Sequence, residues 1–296
     1  MIQELMDGSM YPLTLRGPGR RDARADPQEA LRQVTRMPAL FLGHGSPMTV
    51  ILDVPERRAF QALGRALPRP RAILVITAHW ETSGRTHVTM GDFPRTIHDF
   101  RGFPPELYAM RYPAPGSVEL VERIAALIGE NRIERDASWG FDHGAWGVVQ
   151  PMFPQADIPM VAMSLDRSLD PAGHLALGRA LAPLRDEGVL IIGSGNVIHN
   201  LALWRQSAGT RPEWAERFRA RINAGLLEGD DAVLLALADA DAARAVNSGE
   251  HYLPLLYAAG ARLPGDGAVL FSDTLDGALS MTSYLIGETA LLTDLS

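Results

Sequence analysis

Residues 37–47 read Met-Pro-Ala-Leu-Phe-Leu-Gly-His-Gly-Ser-Pro, and the fold follows from how this stretch changes character half-way along. Ala39-Leu40-Phe41-Leu42 is a short apolar run, and Gly43-His44-Gly45-Ser46-Pro47 stops it. An apolar run bounded by turn residues marks a buried strand. Two glycines around one histidine let the backbone bend sharply and keep bulk away from the imidazole. His44 is therefore predicted just past the carboxyl end of a central strand, the edge at which open α/β sheets hold their ligands. Taken alone, such a histidine is more often a hydrogen-bonded turn residue than a ligand. Recurrence of the pattern is what changes its meaning.

Outward from this stretch, Ala72-Ile73-Leu74-Val75-Ile76-Thr77-Ala78 is too apolar for a strand with one wet face and runs directly into His79-Trp80. Val189–Ile192 is a third buried strand, ending in Gly193-Ser194-Gly195-Asn196-Val197-Ile198-His199-Asn200. Shorter strands are predicted at Thr86–Met90, at Ile158–Met163, and near Ala268–Ser272 and Ser280–Ile286. Helical spacing appears in Pro55–Leu67, with Phe60, Leu63 and Leu67 on one face. It recurs after Ser117, a predicted cap, with Val118, Val121, Ala125 and Ile128 as the apolar face. Further helices are predicted at Ala172–Asp186, through Trp214, Phe218, Ile222 and Leu226, and at Ala232–Val246. The alternation predicts one α/β domain over residues 37–296, a mixed, mostly parallel central sheet flanked by helices, without internal repeat or linker. Residues 1–36, charged and rich in breakers, are predicted as a flexible N-terminal leader with a short helix around Pro27–Val34. The aromatic loop Phe93–Pro115 is too long to be a passive connection.

Composition removes several classes of function. Of 296 residues, 46% are hydrophobic and 21% charged, enough for a sizeable core. The net charge of −7 comes without a basic stripe, so no nucleic-acid partner is expected. The chain has no cysteine, which excludes disulfides, a thiolate nucleophile and cysteine-ligated zinc or iron–sulfur centres. A transition metal here would need nitrogen and oxygen ligands. No run approaches the roughly 20 apolar residues of a membrane span. The start of the chain lacks the apolar core and cleavage site of a secretory signal, and Asp22, Asp26 and Glu29 count against a transit peptide. A soluble cytoplasmic protein with no membrane partner is the expectation.

Three of the eight histidines, His44, His79 and His199, are predicted at the carboxyl ends of core strands beside small residues. In a parallel or mixed sheet those ends share one edge, so the three imidazoles converge on a metal site. His143 lies in a glycine-framed loop, Trp139–Gly147, and His251 opens a helix-like stretch, Glu250–Tyr257. His87 and His174 read as solvated or structural, and the His98 loop either folds over the site or packs on it. Gly193-Ser194-Gly195 lacks the third glycine of a dinucleotide fingerprint, Ile198 standing in its place. Neither a Gly-x-Ser-x-Gly elbow nor a His-Glu-x-x-His pair occurs. The histidine cluster alone leaves three readings open: a redox metalloenzyme, a zinc-dependent hydrolase, and a non-catalytic metal or small-molecule binder.

The blocks MPALFLGHGSP, ITAHW, TIHDF with GFP, YPAPG, WGFDHGAWG, IPM, GSGNVIHN and EHYLPLLYAAG, in this order over residues 37 to 286, resemble the 4,5-DOPA dioxygenase extradiol family. It belongs to the class III extradiol ring-cleaving dioxygenases. The resemblance implies that fold, and cleavage of a DOPA-like or caffeate-like catechol with O2 to a muconate-type semialdehyde. It implies one divalent metal per chain, with Fe(II) expected for activity and Zn(II) as an alternative bound ion. His44, His79 and His199 match metal-binding positions, His251 matches a fourth metal histidine of bacterial members, and His143 matches an acid/base histidine. The wider class uses two His and one Glu, whereas this chain offers histidines at the recognisable positions. Phe93, Phe100, and with them Trp80, His98, Phe103 and Trp146, are candidates for packing the aromatic ring.

Overall fold

Ten strands carry the architecture of residues 35–288, the part of the chain described by the computed structural model. Most of the leader, with its predicted helix, and residues 289–296 lie outside the described residues. β1 (Ala39–Gly43), β2 (Ala72–Thr82), β3 (Thr86–Thr89), β4 (Ile133–Asp136), β5 (Met160–Asp166), β6 (Val189–Gly195) and β7 (Asp266–Ser272) are joined by β10 (Ser283–Glu288) in an eight-stranded sheet. β8 (Leu275–Asp276) and β9 (Leu279–Ser280) form a separate hairpin. The sheet order is β4-β3-β5-β2-β6-β1-β10-β7. Its centre, β5-β2-β6-β1, is parallel throughout, and antiparallel pairs join β3 to β5, β10 to β1 and β7 to β10. This is the mixed, mostly parallel α/β sheet expected from the three apolar runs.

Burial on both faces explains why those runs are continuous rather than alternating. Leu40, Leu42, Ile73, Val75, Leu190 and Ile192 face one layer, with Phe60 and Leu63 of the helix Pro55–Ala66 and Trp146 and Val149 of the helix His143–Met152. Phe41, Leu74, Ile76 and Ile191 face the other, with the helices Val118–Ile128, Pro171–Leu181 and Leu253–Gly260. The last of these lies directly on β6. A Cβ added at Gly193 would come 2.2 Å from the carbonyl oxygen of Pro254, so only glycine permits that approach.

β2 is longer than Ala72–Ala78, and the extension matters. Its register against β5 jumps between Ile76, paired with Met163, and Glu81, paired with Leu165. Thr77–Trp80 thus stand opposite Ser164 alone, an irregularity of the kind that re-aims side chains near active sites. His79 sits inside it.

Other expectations change for local reasons. The helix predicted at Ala232–Val246 is two, Asp231–Leu235 and Ala240–Ala245, because Asp239 accepts the backbone N–H of Asp241 and Ala242 and starts a new one. Val118 faces water, and Leu120 and Ile124 take the buried face with Val121, Ala125 and Ile128. His174 is fully buried on its helix, its Nδ1 3.1 Å from the Tyr257 hydroxyl. His87 lies on an inner strand, partly buried and 3.3 Å from Asp136.

Arg185 ties the two ends of the sheet's antiparallel side together. Fully buried, it donates to the carbonyls of Met37 (2.8 Å) and Ala261 (2.7 Å) and pairs with the equally buried Asp266. Among the described residues no helix is long and apolar enough to cross a membrane.

Candidate active site

Each site histidine is held at the carboxyl edge of the sheet by a different device. His44 follows β1 directly, and its backbone N–H donates to the Gly195 carbonyl at the end of β6 (3.0 Å). Asn196, the next residue, donates from Nδ2 to the His44 carbonyl (2.7 Å) and from its backbone to the His251 carbonyl (2.8 Å). One asparagine therefore fixes two histidines that are far apart in sequence. His143 is not in a loop: it is the first residue of the helix His143–Met152, whose cap, Asp142, accepts the Ala145 N–H and the Thr77 hydroxyl (2.7 Å). That last bond fastens the helix to β2 and sets the His143 ring 4.1 Å from the His79 ring.

The ring nitrogens follow a common plan. His44 Nδ1 donates to Ser194 Oγ (3.0 Å), which passes its own proton to the Gly144 carbonyl. His79 Nδ1 donates to Asp99 (3.0 Å), and His251 Nδ1 to Glu250 (3.0 Å). With every Nδ1 occupied outward, the Nε2 atoms are left to face inward. His44 Nε2 and His79 Nε2 lie 3.0 Å apart. Two bare lone pairs at that separation repel, and a positive charge between them, a proton or a metal ion, removes the repulsion. Two nitrogens each bonded at about 2.0–2.1 Å to one cation adopt such a spacing. His44, His79 and His251 offer ligand atoms all within 4.8 Å of one another. The donor set fits a divalent transition metal.

At His44 and His251 the electrostatics point the same way. Burial, reinforced by the neighbouring imidazoles, holds His44 well below the usual histidine range, and burial also lowers His251. Neutral imidazoles are what a metal needs. For His79 burial also lowers the pKa, but the hydrogen bond to Asp99 and the charges of Asp142, Asp99 and Glu250 outweigh it, so the net shift is upward. Burial pushes Asp99 and Glu250 up, yet the imidazole N–H groups they accept keep both low, Glu250 at about 2. Two carboxylates thus lie just behind the ring of imidazoles.

His199 is placed differently. It lies four residues beyond β6, its backbone N–H donates to Ala245 (3.0 Å), and it forms a bridge with Leu279. Its ring stacks on His251, 3.4 Å between centroids and 5° from parallel. Its ligand atoms group with Glu250 and His251 rather than with His44 and His79. Burial holds its pKa at about 3.

Of the ring-packing candidates, Trp80 stacks on Trp139 at 5.3 Å, with His87 edge-on, and meets none of the converging histidines in this way. His98 bonds the Met110 carbonyl (3.0 Å), and fully buried Trp146 donates to the Ile97 carbonyl (3.0 Å). Both help to fold the loop. Phe100 stands edge-on to His143 at 5.7 Å, with Phe103 against it at 5.3 Å. Phe93 is 70% exposed. Asp99, Ser194, Asn196 and Glu250 carry no role in the sequence reading, although each lies in a stretch that the motifs single out. For Asp99 and Glu250 the signal was adjacency to a histidine, and for Ser194 and Asn196 it was a place in the glycine turn that ends β6. Two grooves of about 380 and 430 Å³, lined by Arg71, Glu119 and Arg123 and by Gln61, Arg65 and Met152, contain no histidine.

The model of the catalytic LigB subunit of aromatic ring-opening dioxygenase matches residues 38–279. The chain belongs to this family. It is an extradiol ring-cleaving dioxygenase, an oxidoreductase that incorporates O2. It is 45% identical over 274 residues to a 4,5-DOPA dioxygenase extradiol of Escherichia coli K12, covering 88% of this chain and 98% of the relative. A 4,5-DOPA dioxygenase extradiol of Beta vulgaris is 39% identical, with 84% and 96% covered. A crystal structure of an uncharacterized protein from Escherichia coli K12 superposes with a TM-score of 0.73 at 41% identity, over 85% of this chain and all of the other. Ring-opening dioxygenases of this family use a metal, for which the histidine cluster is the available place.

Proposed function

We propose that this chain opens the ring of a DOPA-like or caffeate-like catechol beside its diol, giving a muconate-type semialdehyde. His44, His79 and His251 hold one divalent metal through Nε2, and His199, stacked on His251, supports that set. Bound Fe(II) would supply the redox chemistry that lets O2 react with the ring, whereas Zn(II) would fill the same nitrogens without it. The observation that carries the reading is the 3.0 Å approach of two Nε2 atoms whose Nδ1 partners are both tied outward. The curated relatives named for DOPA supply the substrate class.

His143 does the proton work. Its Nδ1 is committed to Asp99 at 2.9 Å, so Nε2 is free to take a proton from the diol and return it later. Phe100, edge-on to this ring, and Phe103, edge-on to Phe100, give apolar walls against which an aromatic substrate packs and from which water is excluded. Asp142 and Thr77 keep the His143 helix in register with β2, holding acid/base group and metal ligands together. A cytoplasmic location belongs to the same proposal.

The test is to load the protein anaerobically with Fe(II), add L-DOPA or caffeate, and admit air. A yellow ring-cleavage product with matching O2 uptake is expected. Metal-dependent ester or amide hydrolysis without O2 uptake would replace the reading with a hydrolase, and tight metal binding with neither activity would leave a binding protein.

A further inference from the structure

Among the described residues Asp99 is the one carboxylate hydrogen-bonded to both His79 and His143. Its Oδ2 lies 3.0 Å from His79 Nδ1 and 2.9 Å from His143 Nδ1, and its Oδ1 accepts the His143 backbone N–H at 2.9 Å. The side chain is turned inward, only 17% exposed, although it rides on the irregular segment between β3 and the short helix Pro105–Ala109, which interrupts the loop expected over Phe93–Pro115. A carboxylate can only accept hydrogen bonds. Both rings must therefore carry a proton on Nδ1, which reserves both Nε2 atoms for the site.

We propose that Asp99 is a positioning residue that sets the tautomer of His79 and of His143 together, so that one carboxylate controls both metal affinity and the availability of the acid/base nitrogen. The inference rests on the metal site and on the role of His143 described above. Its logic is specific to an acceptor with two oxygens. An asparagine has nearly the same shape, but one of its two ends is a donor. If the amide NH2 takes the Oδ2 position, it meets both Nδ1 atoms as a donor and drives both ring protons to Nε2. If the amide oxygen takes that position, the NH2 confronts the His143 backbone N–H, donor against donor. Neither orientation reproduces the native pattern. A residue that merely filled space would be replaced by asparagine without consequence.

The experiment compares the parent chain with Asp99→Asn, first in the metal-free state by nitrogen-15 NMR of the imidazole rings. Nδ1-protonated His79 and His143 are expected in the parent, and a shift of at least one ring to the Nε2-protonated form in Asp99→Asn. Co(II) affinity, measured by competition with a chelator, is expected to fall by about 10–100-fold, the usual effect of losing a partner behind a metal ligand. Asp99→Ala provides the control for folding: added formate should restore part of its Co(II) affinity, which a packing defect would not allow. The proposal is overturned if both rings keep Nδ1 protonated in Asp99→Asn, or if that variant binds Co(II) as the parent does. Its failure is separable from failure of the metal site itself, in which the parent chain also would not bind Co(II).

Discussion

Gly195→Ala isolates what holds the His251 segment against the end of β6. A Cβ at this position would lie 2.0 Å from the His251 carbonyl oxygen and 3.0 Å from its carbonyl carbon. Carbon–oxygen contacts settle at about 3.3 Å or more, so the His251 backbone must retreat by roughly 1 Å. That carbonyl is also the acceptor of the Asn196 N–H at 2.8 Å, and the retreat weakens the bond. Overpacking of this kind costs about 1–3 kcal/mol and a lost hydrogen bond about 1 kcal/mol, giving a loss of about 2–4 kcal/mol. A ligand displaced by about 1 Å in a preorganised site costs on the order of 100-fold in function. Gly147→Ala is the matched comparison. There a Cβ meets only Val50 Cγ1, at 4.0 Å, and the position is inside a helix, where alanine gains roughly 0.5–1 kcal/mol over glycine. Thermal unfolding and metal content of the two purified variants decide the matter. Gly195→Ala should melt well below the parent and retain little metal, and Gly147→Ala should melt at or above it with metal retained. Equal behaviour of the two variants would refute the reasoning.

His251→Ala should abolish metal retention, while His199→Ala, which removes a ring grouped with Glu250 and His251, should weaken it without abolishing it; metal analysis after gel filtration distinguishes the two. Arg185→Met leaves buried Asp266 without its counter-charge and should cost about 3–5 kcal/mol in urea unfolding. The double variant Arg185→Met, Asp266→Leu should recover part of that loss, since an apolar pair can replace a buried ion pair. His174 is held neutral by burial, its pKa falling from 6.5 to about 4. The unfolded chain therefore takes up this proton first as the pH drops. The resulting stability is full above about 6.5 and is lost between there and about 4, by up to about 3 kcal/mol. Urea unfolding at several pH values should show that slope in the parent and a flatter one in His174→Leu.

The central strands were legible because β1, β2 and β6 are buried on both faces and must be apolar throughout. β4 was not, since only Ile133 of Ile133–Asp136 is buried and its other three residues are charged. The histidine edge was readable for the same reason as the strands, because chain leaving a parallel strand must emerge there. His44 follows that rule, whereas His79 is still inside β2 and reaches the edge through the irregularity beyond Ile76. His199 shows its limit: β6 runs on to Gly195, and four further residues carry the ring to the far side of His251. His251 reaches the edge by another route, through the close approach of its carbonyl to Gly195, which no local pattern announces. Asp99 was hidden by its setting, because an acidic residue in an irregular loop looks like solvated surface until the loop is folded.

The converging imidazoles come from residues 44, 79 and 251, and β1 finds its parallel neighbour β6 about 150 residues along the chain, with Ala39 beside Ile191. Closing so large a loop is slow and pays back only when the whole ladder forms. No short segment of this polypeptide can collect the three nitrogens early, so the ion cannot act as a seed for folding. Metal should therefore be taken up late in folding, and a chain stalled part-way should bind none even where much of its secondary structure has formed.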